Sequence, residues 1–269
     1  MDETRTAAAR GNGTPRTCAR SGCSDDPDCI GSLVQPAVRR IKALTPEQEA
    51  QIDERYQQIQ EDRQRRDQEA EAIRRENALD AFLRARGRRY RDCTLDTYRA
   101  TTDRQRELLT MLRDYSENIT ENIDQGKGVV LFGGVGSGKD HALVGLAKTA
   151  LQQGHTVAWV NGLDLFADLR DAMTDNAPEG DVIDRLTRSD VLVLSDPVPP
   201  VAALSPYQAS TLLRAIDCRY SDLKPTWVSL NVKSGGEADE RMGPAIVDRL
   251  RDGSLCYFCD WQSWRRAAE

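Results

Sequence analysis

Several features that would narrow the function are scarce or missing in this sequence. No stretch approaches the ~18 consecutive apolar residues of a membrane span, so a membrane protein is not expected. The opening MDETRTAAAR has no basic-then-apolar leader layout. Cysteine numbers seven, an odd count that does not suit a complete disulfide framework. These three absences point to a reducing cytoplasm. Histidine occurs only twice, as His141 and His155, which leaves a Ser-His-Asp hydrolase little to work with. Hydrophobic residues make up 39%, below the usual share, and charged residues 30%, above it. Part of the 269-residue chain is therefore expected to lie outside any packed core.

The charge is uneven. Residues 1–45 carry a net of +2, residues 46–91 balance 11 basic against 11 acidic groups, and residues 92–269 carry −8. An acidic main domain does not coat DNA through bulk charge. Any contact with nucleic acid then uses a local patch or a multimer.

Three segments follow. Residues 1–45 read as a disordered tail, because Gly11, Gly13, Pro15, Gly22, Pro27 and Pro36 interrupt every periodicity. Cys18, Cys23 and Cys29 lie there, either as a small zinc site or as free thiols. Residues 46–90 read as a long charged helix and its end, with the helix spanning 46–86. Thr45 caps it, Pro46 suits its first position, and Glu47 and Glu49 favour the positive end of its dipole. Between Ile59 and Ala70 it has no apolar residue, so it is either a solvated spacer or a partner-binding arm with an apolar patch at each end. Arg84, Arg86, Arg88, Arg89 and Arg91 form a basic cluster at its end.

Residues 91–269 alternate apolar runs with helical patterns. The strand candidates are 128–132, 156–160, 191–195, 226–231 and 254–259, with helices near 139–153, 163–173, 206–220 and 237–251. That alternation predicts an α/β domain with a parallel sheet sandwiched by helices. Cys256 and Cys259 in the last run read as buried core thiols, and Trp227, Trp261 and Trp264 as core or interface packing.

The sharpest motif is FGGVGSGKDH at 132–141. It follows a strand and opens a helix, as a phosphate loop does. The glycines among Gly133, Gly134, Val135, Gly136, Ser137 and Gly138 let backbone N–H groups converge on phosphate oxygens, and Lys139 adds a mobile positive charge. ATP with Mg²⁺ is the expected cofactor. The next residue breaks the pattern: Asp140 stands where a magnesium-binding Ser or Thr hydroxyl is usual. Downstream, the strand 191–194 is followed by Ser195, where an Asp is usual, and then by Asp196. The two departures complement each other, so Asp140 and Ser195 are the candidate metal ligands with hydroxyl and carboxylate exchanged. Two rival readings remain: decay of hydrolysis, and a one-residue shift that makes Asp196 the metal carboxylate.

With these motifs the chain resembles the DnaC/IstB group of AAA+ ATPases, bacterial helicase loaders and transposition helper ATPases. The likeness runs from about Arg88 to Arg266. It is carried by RRYRDCTLDTY (88–98), GGVGSGKDHALVGLA (133–147), SDVLVLSD (189–196), PTWVSLN (225–231), IVDRLRDG (246–253) and DWQSWR (260–265). The resemblance implies a P-loop NTPase fold with an AAA+ core. It implies catalytic roles for Asp196, Asn231 and Arg249, the last as an arginine finger acting on a neighbouring subunit. It adds His141 and Arg265 to the nucleotide-binding residues. An earlier Arg of the family corresponds to Ala245 here. The implied partners are a replicative DNA helicase, or a transposase in the helper variant, and single-stranded DNA. A homo-oligomer is expected when ATP is bound. A nucleotide-gated adaptor without turnover is the second class. A small-molecule kinase is the third, but no Arg-rich lid is found between the later strands.

Overall fold

The computed structural model describes residues 45–174, 179–199 and 202–266. The proposed zinc cysteines and nearly all of the tail lie outside them. The chain divides into two compact units, Met1–Ile59 and Gln60–Glu269. Helix α1 spans Pro46–Arg86. In the first unit its described part is solvated, and Ile52, Tyr56 and Ile59 are exposed. At its start the Thr45 hydroxyl accepts from Gln48 N–H while the Gln48 side chain accepts from Thr45 N–H, a reciprocal cap.

The second unit is built on five strands: β1 (Val129–Gly133), β2 (Val157–Asn161), β3 (Val191–Ser195), β4 (Thr226–Leu230) and β5 (Leu255–Cys259). They form one parallel sheet in the order β2-β3-β4-β1-β5. Each strand lies within about one residue of its sequence expectation. Successive side chains alternate between the two faces. Val129, Leu131, Val191, Val193 and Trp227 point to one face. Helices α2 (Asp103–Glu117), α3 (Ile119–Asp124) and α4 (Lys139–Gln152) cover it, together with Phe82 near the end of α1. Leu192, Leu194, Val228 and Leu230 point to the other face. It is covered by α5 (Gly162–Thr174), α6 (Glu179–Thr187), α7 (Pro206–Ser221), α8 (Gly235–Met242) and α9 (Pro244–Arg251). The central strands β3, β4 and β1 are thus buried on both sides, as their apolar runs require.

Three expectations need correction. The pattern 237–251 is two helices, because Gly243 at φ 96° and Pro244 stop α8 and start α9. Cys256 and Cys259 are not both buried. Three positions apart on a strand, they face opposite ways, so Cys259 is fully buried and Cys256 exposed. Burial pushes the Cys259 thiol up to about 12, which keeps it unreactive. The third correction concerns Trp261 and Trp264 and belongs to the site.

Candidate functional site

The carboxyl ends of the strands carry the site, where ligands of open parallel sheets bind. After β1 the loop 133–138 turns back and α4 begins at Lys139. Gly136 has φ 78° and Gly138 has φ 92°, backbone that L side chains rarely adopt. With the loop bent this way, a cavity of about 380 Å³ opens beside it. Its walls include the loop from Val135 to Gly138, then Lys139, Asp140 and His141, then Asp196, Asn231 and Arg265. Of the sequence candidates, Gly133, Gly134, Ser195 and Arg249 do not line it.

Lys139 is 5% exposed, and burial lowers its ammonium pKa. Its Nζ donates to Gly133 O at 3.1 Å, Gly134 O at 2.8 Å and Asn231 Oδ1 at 2.9 Å. The Asn231 amide in turn donates to Asp196 Oδ1 at 2.6 Å. Lys139, Asn231 and Asp196 therefore form one chain of hydrogen bonds along the cavity. Burial, and then the negative charge of Asp140, raise the Asp196 carboxyl to about 6.

Asp140 sits on the first turn of α4, over the sheet face that Trp227 and Val193 share. By alternation, Ser195 and Ser229 point to that same face, and β3 and β4 place them side by side. Ser229 Oγ donates to Asp140 Oδ1 at 2.6 Å, and Ser195 Oγ reaches the same oxygen at 3.2 Å. Ser195, not Asp196, is thus the β3 residue that meets Asp140. Ser229 was not singled out from the sequence, because its role depends on a strand order that joins residues 89 positions apart.

His141 Nε2 lies 2.9 Å from Thr94 O and 3.2 Å from Thr97 Oγ1, and the Tyr98 ring meets it edge-on. Burial lowers its pKa, so the ring is neutral at pH 7 and fastens the 94–98 turn to α4. Trp261 and Trp264 do more than fill the core. The Trp261 indole N–H donates to Ser137 O at 2.8 Å, Trp264 N–H donates to Gly136 O, and Trp264 and Arg265 line the cavity. Sequence reading placed these two in packing because apolar bulk hides a single donor. Arg89 and Arg99 also line the cavity. Arg249, on α9, pairs with Asp217 of α7 and donates to Ala245 O at 3.0 Å.

This architecture has counterparts. A crystal structure of the DnaC helicase loader superposes with a TM-score of 0.57 at 25% identity, covering 64% of this chain and 99% of that one. A DnaI crystal structure shares the fold at 18% identity and a TM-score of 0.54. The replicative helicase loader DnaC of Buchnera aphidicola (Acyrthosiphon pisum strain) is 26% identical over 205 residues, 73% of this chain and 81% of its own. That of Escherichia coli K12 is 25% identical over 178 residues, 65% of this chain and 70% of its own. The model of the IstB-like ATP-binding protein family matches residues 39–267, which takes in the whole phosphate loop together with Trp261 and Trp264. By that match, over most of its length, the chain belongs to the IstB-like ATP-binding protein family.

Proposed function

We propose that this protein binds ATP at the 133–139 loop and acts in DNA replication as a loader of a replicative helicase. The observation that carries the reading is the long alignment with DnaC loaders, which covers most of both chains. The cavity's charge supports it. Lys139, Arg89, Arg99 and Arg265 face Asp140 and Asp196, a net of plus two with His141 neutral. Magnesium-bound ATP carries the opposite charge.

The donors suit magnesium, which prefers a few hard oxygens and keeps some water. Asp140 and Ser195 would hold it, and Ser229 orients the Asp140 carboxylate from the second strand. Bound there, the ion would supply neutralisation of the β- and γ-phosphate charge. The rest falls to the chain itself. The loop amides hold the triphosphate tail, and Lys139 exchanges its carbonyl partners for phosphate oxygens. Asn231 keeps the Asp196 carboxylate in place to accept a proton from an attacking water. Arg249 would serve the site of a neighbouring copy, with a homo-oligomer as the active form. Single-stranded DNA and the helicase are the remaining partners. A variant within the family, a transposition helper, would assemble on duplex DNA instead.

A second reading, a nucleotide-gated adaptor without turnover, is favoured by Asp140 and Ser195 at the metal positions and by Ala245 in the finger segment. The test is a titration of a labelled, non-hydrolysable ATP analogue with Mg²⁺ varied, then sizing with single-stranded DNA and the replicative helicase. An uncompensated carboxylate near the γ-phosphate costs several kcal/mol, so affinity should fall at least ~10-fold in chelator. Lys139→Ala should abolish binding. Unchanged affinity in chelator would refute the exchanged ligands. Failure to form a nucleotide-dependent complex with helicase would refute the loader. An ATPase assay with and without single-stranded DNA separates the adaptor from the enzyme.

A further inference from the structure

A phosphate loop turns its amides inward to the phosphates, so its carbonyls point outward and need donors of their own. Here the donors can be named. Lys139 serves Gly133 O and Gly134 O, and Ser137 Oγ also serves Gly134 O at 2.9 Å. Gly136 O accepts from Trp264 N–H at 3.0 Å, and Ser137 O from the Trp261 indole at 2.8 Å. The Tyr98 hydroxyl reaches the same Ser137 oxygen only at 3.5 Å. Two outward carbonyls therefore depend on the segment that follows β5. The fit is close: a Cβ on Gly136 would strike Ser263 Oγ. The segment is itself tied down. Asp260 pairs with Arg104 of α2, Arg104 donates to Phe258 O at 3.2 Å, and Trp261 packs beside Tyr257.

We propose that Asp260–Arg265 is a strap that keeps the phosphate loop in its binding shape, with Trp261 as the positioning residue. The proposal rests on the reading that ATP binds at this loop. In the free protein, Lys139 helps hold the loop from within. When a triphosphate enters, the ammonium turns to it, and Gly133 O and Gly134 O lose that donor. The donors from Trp261 and Trp264 are neutral and sit outside the loop, so they stay. The loop thus leans on the strap most when it is loaded. Without the indole N–H, Ser137 O keeps only the long Tyr98 contact, and the inward amides lose their common focus. A ligand without phosphates does not use those amides and should not notice.

The test uses the full chain carrying Trp261→Phe. Affinities for a non-hydrolysable ATP analogue and, by competition, for adenosine are measured beside the melting of the nucleotide-free protein. The analogue should bind about 10-fold more weakly, as loss of one partly buried hydrogen bond implies. Adenosine affinity should stay within about two-fold, since it carries no phosphate for the loop amides to hold. If Trp261→Phe does not fold, 3-benzothienylalanine at position 261 keeps the ring volume and replaces only the N–H. Equal binding of the analogue by variant and wild type would overturn the strap. So would an equal loss for adenosine, which marks a merely structural role. If the wild type fails to bind the analogue, or Lys139→Ala binds it as well, the ATP reading falls and the strap falls with it.

Discussion

Asp196 occupies an expensive position. Its φ of 49° lies in the left-handed region, where Asn and Asp are the best tolerated non-glycine residues. Its carboxyl, raised to about 6, holds its proton longer in the folded chain than in the unfolded one. The sign follows from linkage: the folded state binds the extra proton between the two values, so this group lowers stability as pH rises. The penalty is absent near pH 4 and complete above about pH 6, on the order of 2–3 kcal/mol. Asn at this position keeps the left-handed backbone and can still accept from the Asn231 amide. Asp196→Asn, melted in chelator without nucleotide, should therefore gain about 5 °C at pH 8 and little at pH 4. An equal shift at both values would assign the effect to packing. The same variant should lose ATP hydrolysis, since its amide cannot take a proton from water.

The exchanged ligands give a second expectation at this scale. Asp140 and Ser195 share one hydrogen bond at 3.2 Å, so their substitutions should couple. Asp140→Thr leaves the metal position without a carboxylate, and Ser195→Asp sets two carboxylates against each other. The double variant has one of each again, in the usual arrangement. Each single change should weaken magnesium-dependent ATP-analogue binding at least ~10-fold, and the pair should recover most of it. Additive losses would mean that the two residues do not serve one ion.

At the scale of elements, Arg219 does the joining. It is fully buried on α7 and donates to the carbonyls of Leu186, Ser189, Asp190 and Pro225, and to Thr226 Oγ1. The end of α6 and the approaches to β3 and β4 thus share one guanidinium. Burial lowers its pKa to about 10, so it stays charged at neutral pH. Arg219→Ala orphans several buried carbonyls at once and should cost about 4 kcal/mol in urea unfolding. Arg219→Lys should recover only part, because one ammonium cannot span the same fork. A cost below ~1 kcal/mol would mean that water replaces the guanidinium at no loss.

Arg219 also marks where the sequence stops being legible. The strands were readable because each is a short apolar run closed by polar residues, and α1 because its cap and first turn are explicit. Helix α2 went unread, although Thr102 and Gln105 form a capping box and Leu108, Leu112 and Tyr115 repeat at helical spacing behind it, because its first five residues, 103–107, are all polar. Gly243 and Pro244 were visible as residues, but their breaking of a helix was masked by a continuous 3.6-residue pattern. In the site, the loop and Lys139 were legible because their chemistry is local. Ser229, Trp261 and Tyr98 were not, because each acts on a residue far along the chain that only the tertiary fold brings near.

At the scale of the whole molecule, the question is whether a neighbouring copy adds positive charge at the γ-phosphate. Residues 92–269 carry a net of −8, and Arg249 does not reach its own cavity. Its side chain is 31% exposed and that of its partner Asp217 49% exposed. An ion pair so open to water holds at most ~1 kcal/mol, so Arg249 can be given up to a stronger anion. A triphosphate on a neighbouring copy is such an anion, and trans donation of this kind accelerates hydrolysis about 10³-fold or more. Lys139→Ala should keep a working Arg249 without binding nucleotide, and Arg249→Ala should bind nucleotide without a donor. Each alone should be inactive with single-stranded DNA and helicase. Mixed in equal amounts, about a quarter of head-to-tail interfaces would pair an intact loop with an intact arginine. ATPase activity should then reappear at roughly that fraction of the wild-type rate. Activity no higher than that of the separate variants would place Arg249 outside the reaction and leave its pairing with Asp217 as a purely structural link between α7 and α9.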